Sequence, residues 1–344
     1  KFCGSPLGAT LSTRKKKQSI GLASSIRSNV QHCVKADAGK HNENNILRIG
    51  LYDIDSKIPN LGLMRLSAFH KAQGDEVEMY LPLAHETYDR VYASSIFDFS
   101  DKSYVRDDMI IGGTGFDLNK PLPPEVERFD PDYSLYEYPH NIGFAMHGCR
   151  FRCDFCVVPR KEGRAKSVSS IEQIWTQRSS NFLMLLDNDF FGNPLWQECV
   201  SDILKYKLRV NFSQGLNIRI ISEKQANALA KIDFRDKSNN MPRITFAWDN
   251  IRDEKTIMRG FKRVTDAGIK PWQIQFYVLI GFDSTQDEDL HRVNRIRELG
   301  ADPYVMPFNK RDLYQSRFAR WVNHRATFKT VPWEKYRWDR REVA

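Results

Sequence analysis

From residue 46 onward, short apolar runs alternate with stretches in which apolar side chains recur every three or four positions. The run 47–52 reads as a strand. Over 60–73, Leu61, Leu63, Met64, Leu66 and Phe69 fall at near-helical spacing, and Gly74 can end that helix. Residues 76–80, 90–96 and 109–111 are further strands. Together they predict a small α/β unit with a parallel-sheet rhythm. From 142 the alternation becomes regular. Strands are predicted at 142–147, 182–186, 208–212, 244–248, 274–280 and 303–307. Helices are predicted at 171–178, 196–206, 222–231, 254–267 and 287–299. Ser222 opens its helix as a capping box with Gln225, while Gly268 and Gly300 close the last two. Ligands of such α/β folds bind at the C-terminal ends of the strands.

The pattern divides the chain into five parts: a tail at 1–45, a Rossmann-like α/β domain at 46–119, a proline-rich linker at 120–140, an α/β domain at 141–309, and a basic aromatic extension at 310–344. A chain of 344 residues, 41% hydrophobic, is large enough for two packed units or one barrel with an addition. No run of 18 apolar residues exists, which argues against a membrane span. The net charge of +9 is concentrated at the ends. Residues 1–45 carry eight Lys/Arg against two acids, and 310–344 carry ten against four, so the middle is slightly acidic. The basic, Ser-rich 1–45, with Arg14-Lys15-Lys16-Lys17, reads as a mobile tail, an organelle-targeting presequence, or upstream sequence of a truncated reading frame.

The chemistry is concentrated in one loop. Three of the six cysteines lie within eight positions, as Cys149-x3-Cys153-x2-Cys156, with Phe155 just before the third. They follow the predicted strand 142–147. Three thiolates do not complete a tetrahedral zinc site, although His147, His140 or a distant cysteine would supply a fourth ligand. No second Cys-x2-Cys knuckle is present. Disulfides are ill suited to three thiols in a chain with an ample core. Three thiolates do suit three irons of a [4Fe–4S] cube, leaving one iron open. Clustered reduced cysteines also point to a reducing compartment such as the cytoplasm.

This loop resembles the signature of the radical S-adenosylmethionine (SAM) enzymes. The resemblance spans roughly 46–309, and the cysteine loop is its one highly specific motif. It implies a partial (β/α)6 TIM-like barrel, preceded by the small Rossmann-like α/β domain. It implies that Cys149, Cys153 and Cys156 bind a [4Fe–4S] cluster whose open iron chelates SAM. Reductive cleavage would yield a 5′-deoxyadenosyl radical that abstracts hydrogen from a substrate left unidentified. A flavodoxin- or ferredoxin-type protein would supply the electron. Phe155 would lie beside the adenine. Asp187 and Asp189, after the second strand, stand where the family holds the SAM amino group; the alternative is a helix N-cap. Ser213, Gln214 and Arg219, after the third, are candidates for the ribose and carboxylate, with a surface salt bridge as the alternative for Arg219. Leu279 and Gly281 match an adenine-binding element from which Tyr277 and Ser284 depart.

The first α/β domain resembles the cobalamin-binding domain of one radical SAM class. Its cobalt-ligating Asp-x-His-x-x-Gly element reads Asp53-Ile54-Asp55-Ser56-Lys57-Ile58 here, without histidine or glycine. Two readings follow: cobalamin bound with no protein ligand, or a domain that has lost it; the missing pair favours the second. Gly112-Gly113-Thr114-Gly115 reads as a turn in preference to a phosphate-binding loop. Cys156-Val157-Val158-Pro159-Arg160 resembles tRNA methylthiotransferases, but the three upstream cysteines those require are absent. Trp321, Phe328, Trp333, Tyr336 and Trp338 either pack over the domain or stack on nucleic acid; packing is favoured. Two other function classes remain: a zinc-stabilised RNA- or partner-binding module, and a cluster-bearing electron-transfer protein without SAM chemistry.

Overall fold

The computed structural model describes residues 46–337. Cys3, Cys33, the basic run at 14–17 and Trp338 lie outside them. The described residues form two compact units, 46–56 with 65–129, and 57–64 with 130–337.

The first unit holds one four-stranded parallel sheet. Its strands are β1 (Arg48–Asp53), β2 (Glu76–Met79), β3 (Arg90–Ser94) and β4 (Ile110–Gly112), in the order β2-β1-β3-β4. Helix α1 (Leu61–Ala72) connects β1 to β2, and the division between the units falls within it. Gly74 turns the chain back at φ +90°, a conformation that costs glycine little.

In the second unit every major strand is parallel to its neighbour. β5 (Asn141–Gly143), β8 (Phe182–Leu185) and β9 (Arg209–Phe212) lie side by side, with β10 (Asp233–Phe234) outside β9. β11 (Ile244–Ala247), β12 (Ile274–Ile280) and β13 (Asp302–Pro307) form a second parallel set. A parallel bridge between Leu216 and Phe246 joins the two, sealed by Leu216 N–H donating to the Thr245 carbonyl at 2.8 Å. The architecture is mixed α/β with parallel sheets.

The elements form where local preference and burial agree. β12 alternates strictly, with Ile274, Phe276, Val278 and Ile280 fully buried. Strand β8, Phe182-Leu183-Met184-Leu185, is buried on both faces, as a central parallel strand must be. Connecting helices α2 (Trp196–Lys205), α3 (Glu223–Leu229), α4 (Glu254–Asp266) and α5 (Gln286–Glu298) turn an apolar stripe inward. In α4 that stripe is Ile257, Gly260, Phe261 and Val264. Gly260 is required there, because a Cβ would sit 2.1 Å from the Ile218 carbonyl oxygen. The capping box of Ser222 and Gln225 forms as expected, and Thr285 with Glu288 makes another.

Helices α6 (Leu313–Asn323) and α7 (Arg325–Thr330) complete the core with Trp321 and Phe328, against which Trp333 and Tyr336 pack. Those aromatics are therefore committed to packing. Beneath them, Arg292 and Asp289 pair at 2.6 Å with both side chains buried. Arg292 also donates to the carbonyls of Trp248 and Leu279, and Asp289 accepts from Ser284 and Tyr314. One ion pair thus ties the ends of β11 and β12 to α5 and α6.

Two sequence expectations need correction, and a strand was missed. The helix expected over 171–178 is a single turn, Ile171–Ile174, because Trp175 leaves the helical region at ψ 66°. The strand expected over 142–147 breaks after Gly143; β6 (Met146–His147) turns aside to pair antiparallel with β7 (Lys166–Ser167). The short strand β10, which lacks an apolar run, was not expected at all. Among the described residues no helix is long and apolar enough to cross a membrane.

Candidate functional site

The cysteine loop begins at a glycine whose replacement would strain the chain. Gly148 adopts φ +81°, and a Cβ on it would lie 2.3 Å from the Arg164 carbonyl oxygen. Its N–H donates to Glu162 Oε2 at 2.8 Å, and the Cys149 N–H donates to the Gly163 carbonyl. The loop is thereby stitched to the segment that returns from it. Cys149, Cys153 and Cys156 are unpaired thiols that line one cavity of about 930 Å³, with Arg150, Arg152, Asp154, Arg160 and Arg164 beside them. They do not converge: among the described residues, no three His, Cys, Asp or Glu side chains form a metal-ion site.

Burial pushes the Cys149 thiol up to about 11; the Phe151 amide, 3.4 Å from its sulfur, pulls the other way, and Asp189 adds to the rise. Burial also raises Cys153, against the pull of Arg219. A thiol raised in this way is a poor nucleophile at neutral pH. Cys199, in α2, is buried, and burial pushes it up to about 12; it belongs to the core.

The loop reaches the ends of strands across the unit. Arg150 grips Asp189, four residues past the end of β8, through Nε to Oδ2 at 2.7 Å and Nη2 to Oδ1 at 2.8 Å. Gly192 allows this, since a Cβ there would lie 2.3 Å from Asp189 Oδ2. Asp187 turns the other way. Its Oδ1 accepts from the amides of Ala145 at 2.8 Å and Met146 at 3.2 Å, bridging the break between β5 and β6. Its Oδ2 is buried without a partner. Burial pushes the Asp187 carboxyl up to about 7, against the pull of those two amides. Neither aspartate caps a helix: Asp189 makes no side-chain cap bond, and the N-cap position of α2 is Leu195, which makes none either. The strand ends at Leu185, so the two carboxylates do not share a face.

After β9, Arg219 sits with its guanidinium 4.7 Å from the Phe151 ring centroid and donates to Asp253 Oδ2 at 2.8 Å. It makes the expected salt bridge and also stands at the cysteine loop. Ser213 and Gln214 lie earlier in the same segment, where Ser213 N–H donates to the Leu185 carbonyl. Asp249, after β11, lies close enough to Cys153 to raise it; burial raises Asp249 in turn, with the Leu279 amide, Arg292 and Arg219 opposing.

Leu279 offers its carbonyl to Arg292, and Gly281 follows at φ +77°. The close approach that Gly281 permits is to the Gln315 side chain, which a Cβ would meet at 2.2 Å. Ser284, where the resemblance departs, accepts from the Gly281 N–H at 3.2 Å and donates to Asp289. Phe155 meets Phe282 edge-on at 5.6 Å, and Phe282 meets Phe308 at 5.0 Å. Sequence reasoning missed Arg150, Asp249, Asp253, Phe282 and Phe308. Each sits one to six residues past a strand or within the cysteine loop, a position that is only meaningful once strand ends are known.

In the first unit, Asp55 accepts from the amides of Ile96 (2.7 Å) and Phe97 (2.9 Å) and from the hydroxyls of Ser95 and Ser100. Burial works against its charge, but these bonds prevail and hold the carboxyl below its ordinary range. Gly113 and Gly115 press against the same 95–97 segment, where a Cβ would lie 2.4 Å from a carbonyl oxygen in each case. Both elements therefore secure a loop. No protein-family model, curated protein or solved structure matches the chain.

Proposed function

We propose that the protein is a radical SAM enzyme, with the six parallel strands β5, β8, β9, β11, β12 and β13 forming a partial barrel. One observation carries the reading: a Cys-x3-Cys-x2-Cys loop at the C-terminal end of the first parallel strand touches residues that follow four others. Arg150 meets Asp189, Cys153 lies by Arg219 and Asp249, and Phe155 meets Phe282. The donors are of the kind the cofactor takes, although the three thiols would have to draw together to hold it. Three unpaired thiols line a shared cavity, and one sulfur already accepts an amide N–H, a bond of the kind that tunes cluster potentials.

Cys149, Cys153 and Cys156 would hold a [4Fe–4S] cluster, whose chemistry is the one-electron cleavage of SAM to methionine and a 5′-deoxyadenosyl radical. The chain's own residues bind and orient. Arg219, fixed by Asp253 and by the Phe151 face, offers a guanidinium to the SAM carboxylate. Asp187 and Asp189 are committed to the amides at 145–146 and to Arg150, so they shape the loop. Asp249 then becomes the carboxylate for the SAM ammonium. Phe155, backed by Phe282, shields the loop from water. Asp55 and the glycines at 113 and 115 serve the structure of the first unit, and cobalamin has no part in this reading.

The test is anaerobic reconstitution followed by iron analysis and incubation with SAM and dithionite. About four irons per chain, absorbance near ~400 nm and formation of 5′-deoxyadenosine are expected. Cys→Ala at all three positions should abolish all of these. Zinc in place of iron, or 5′-deoxyadenosine formed by the triple variant, would refute the assignment.

A further inference from the structure

The cavity of the cysteine loop carries more positive charge than its cofactors can use. Four arginines line it, and only Arg150 has a carboxylate partner, Asp189. Arg152, Arg160 and Arg164 are exposed and form no ion pair among the described residues. Asp154 is the one acid on the wall. Lys161 and Lys166 extend the charge beyond it, within a middle section of the chain that is otherwise slightly acidic.

Charge balance, which rests on the radical SAM reading, shows what this excess is for. An oxidised cubane with three thiolates has one net negative charge, and SAM has one net positive charge. The pair is neutral and Asp154 offsets one of the three unpaired guanidiniums, so the wall keeps a net excess of positive charge when both are bound. Exposed as they are, these guanidiniums are hydrated until an anion replaces the water, and their forks match phosphate oxygens in pairs.

A second feature selects among anions. Phe282 and Phe308 remain 41% and 54% exposed, and their contact runs back through Phe155 into the cysteine loop. Exposed aromatic faces joined through the same loop to exposed arginines offer what binds a base and its phosphate. We propose that the substrate is a nucleoside phosphate, free or as a unit of a nucleic-acid strand. Its phosphates lie on Arg152, Arg160 and Arg164, and its base stacks on Phe282 and Phe308. The hydrogen abstracted would belong to that nucleoside.

The experiment uses the reconstituted full chain and the fluorescence anisotropy of a labelled single-stranded RNA oligonucleotide over a range of salt. Arg152→Ser/Arg160→Ser/Arg164→Ser should weaken binding on the order of a hundredfold. It should also flatten the slope of log affinity against log salt by about 2, at about 0.7 for each lost contact. The corresponding triple Lys variant should recover most of the affinity. Phe282→Ala/Phe308→Ala should cost on the order of tenfold at unchanged slope. Competition by adenosine monophosphate at comparable concentrations identifies free nucleotide as the source, and competition by oligonucleotide alone identifies a strand. Because the chain ends are basic too, every comparison keeps them intact. The proposal is overturned if the triple Ser variant binds as tightly as wild type, or if polyglutamate competes as well as the oligonucleotide. Iron content and SAM cleavage are measured on the same preparation. A failure of the radical SAM reading appears there, and a failure of the phosphate reading appears in the anisotropy.

Discussion

Replacing Asp187 with asparagine isolates the energetic cost of holding a carboxylate under the cysteine loop. Asp187 is 3% exposed, its Oδ1 accepts two amides, and its Oδ2 has no partner. Burial moves the carboxyl from its ordinary 3.8 to about 7. That displacement corresponds to roughly 4 kcal/mol against the ionised folded form. The sign follows from proton binding. The folded chain holds this proton more tightly than the unfolded chain, so the contribution to stability is greatest below the unfolded value and is lost as pH rises through about 7. Asparagine keeps an acceptor for the amides of Ala145 and Met146 and cannot ionise. Its advantage over wild type should therefore be roughly 2 kcal/mol larger at about pH 8 than at about pH 5.5. Urea unfolding followed by tryptophan fluorescence reads this directly, since every tryptophan among the described residues lies beyond residue 174, in the second unit. Asp187→Ala removes the acceptor as well and should destabilise at both pH values, by about 1–3 kcal/mol for each amide left bare. A wild-type-to-Asn difference that does not change with pH, or that grows toward acid, would refute the reasoning.

Arg292→Leu leaves Asp289 buried without its cation and should cost about 3–5 kcal/mol in urea unfolding; a loss under ~1 kcal/mol would mean that Ser284 and Tyr314 alone satisfy the carboxylate. Gly148→Ala forces a side chain into φ +81° and against the Arg164 carbonyl, so iron per chain after reconstitution should fall several-fold while the far-ultraviolet spectrum is retained; full iron loading would show that the loop tolerates the shift. Arg219→Lys keeps the charge but loses the fork, and it should raise the KM for SAM with a smaller effect on kcat; an equal loss in both would place Arg219 outside SAM binding.

Much of this protein was legible from local pattern. Apolar alternation placed β12 to the residue, because Ile274, Phe276, Val278 and Ile280 face one core. Capping chemistry marked Ser222, which bonds only to its own helix start. Spacing singled out Cys149, Cys153 and Cys156, which lie within one loop and line one cavity. What the sequence could not decide was which side chains meet across the chain. Asp187 and Asp189 are two residues apart, yet one reaches back to the amides at 145–146 and the other to Arg150. Arg219 finds Asp253 and the Phe151 ring, and Gly281 is small for the sake of Gln315. Strand propensity and capping act within a few residues and can be read along the chain. Partner choice at strand ends depends on the register of parallel neighbours tens of residues away, and only the folded chain brings those neighbours within hydrogen-bonding distance.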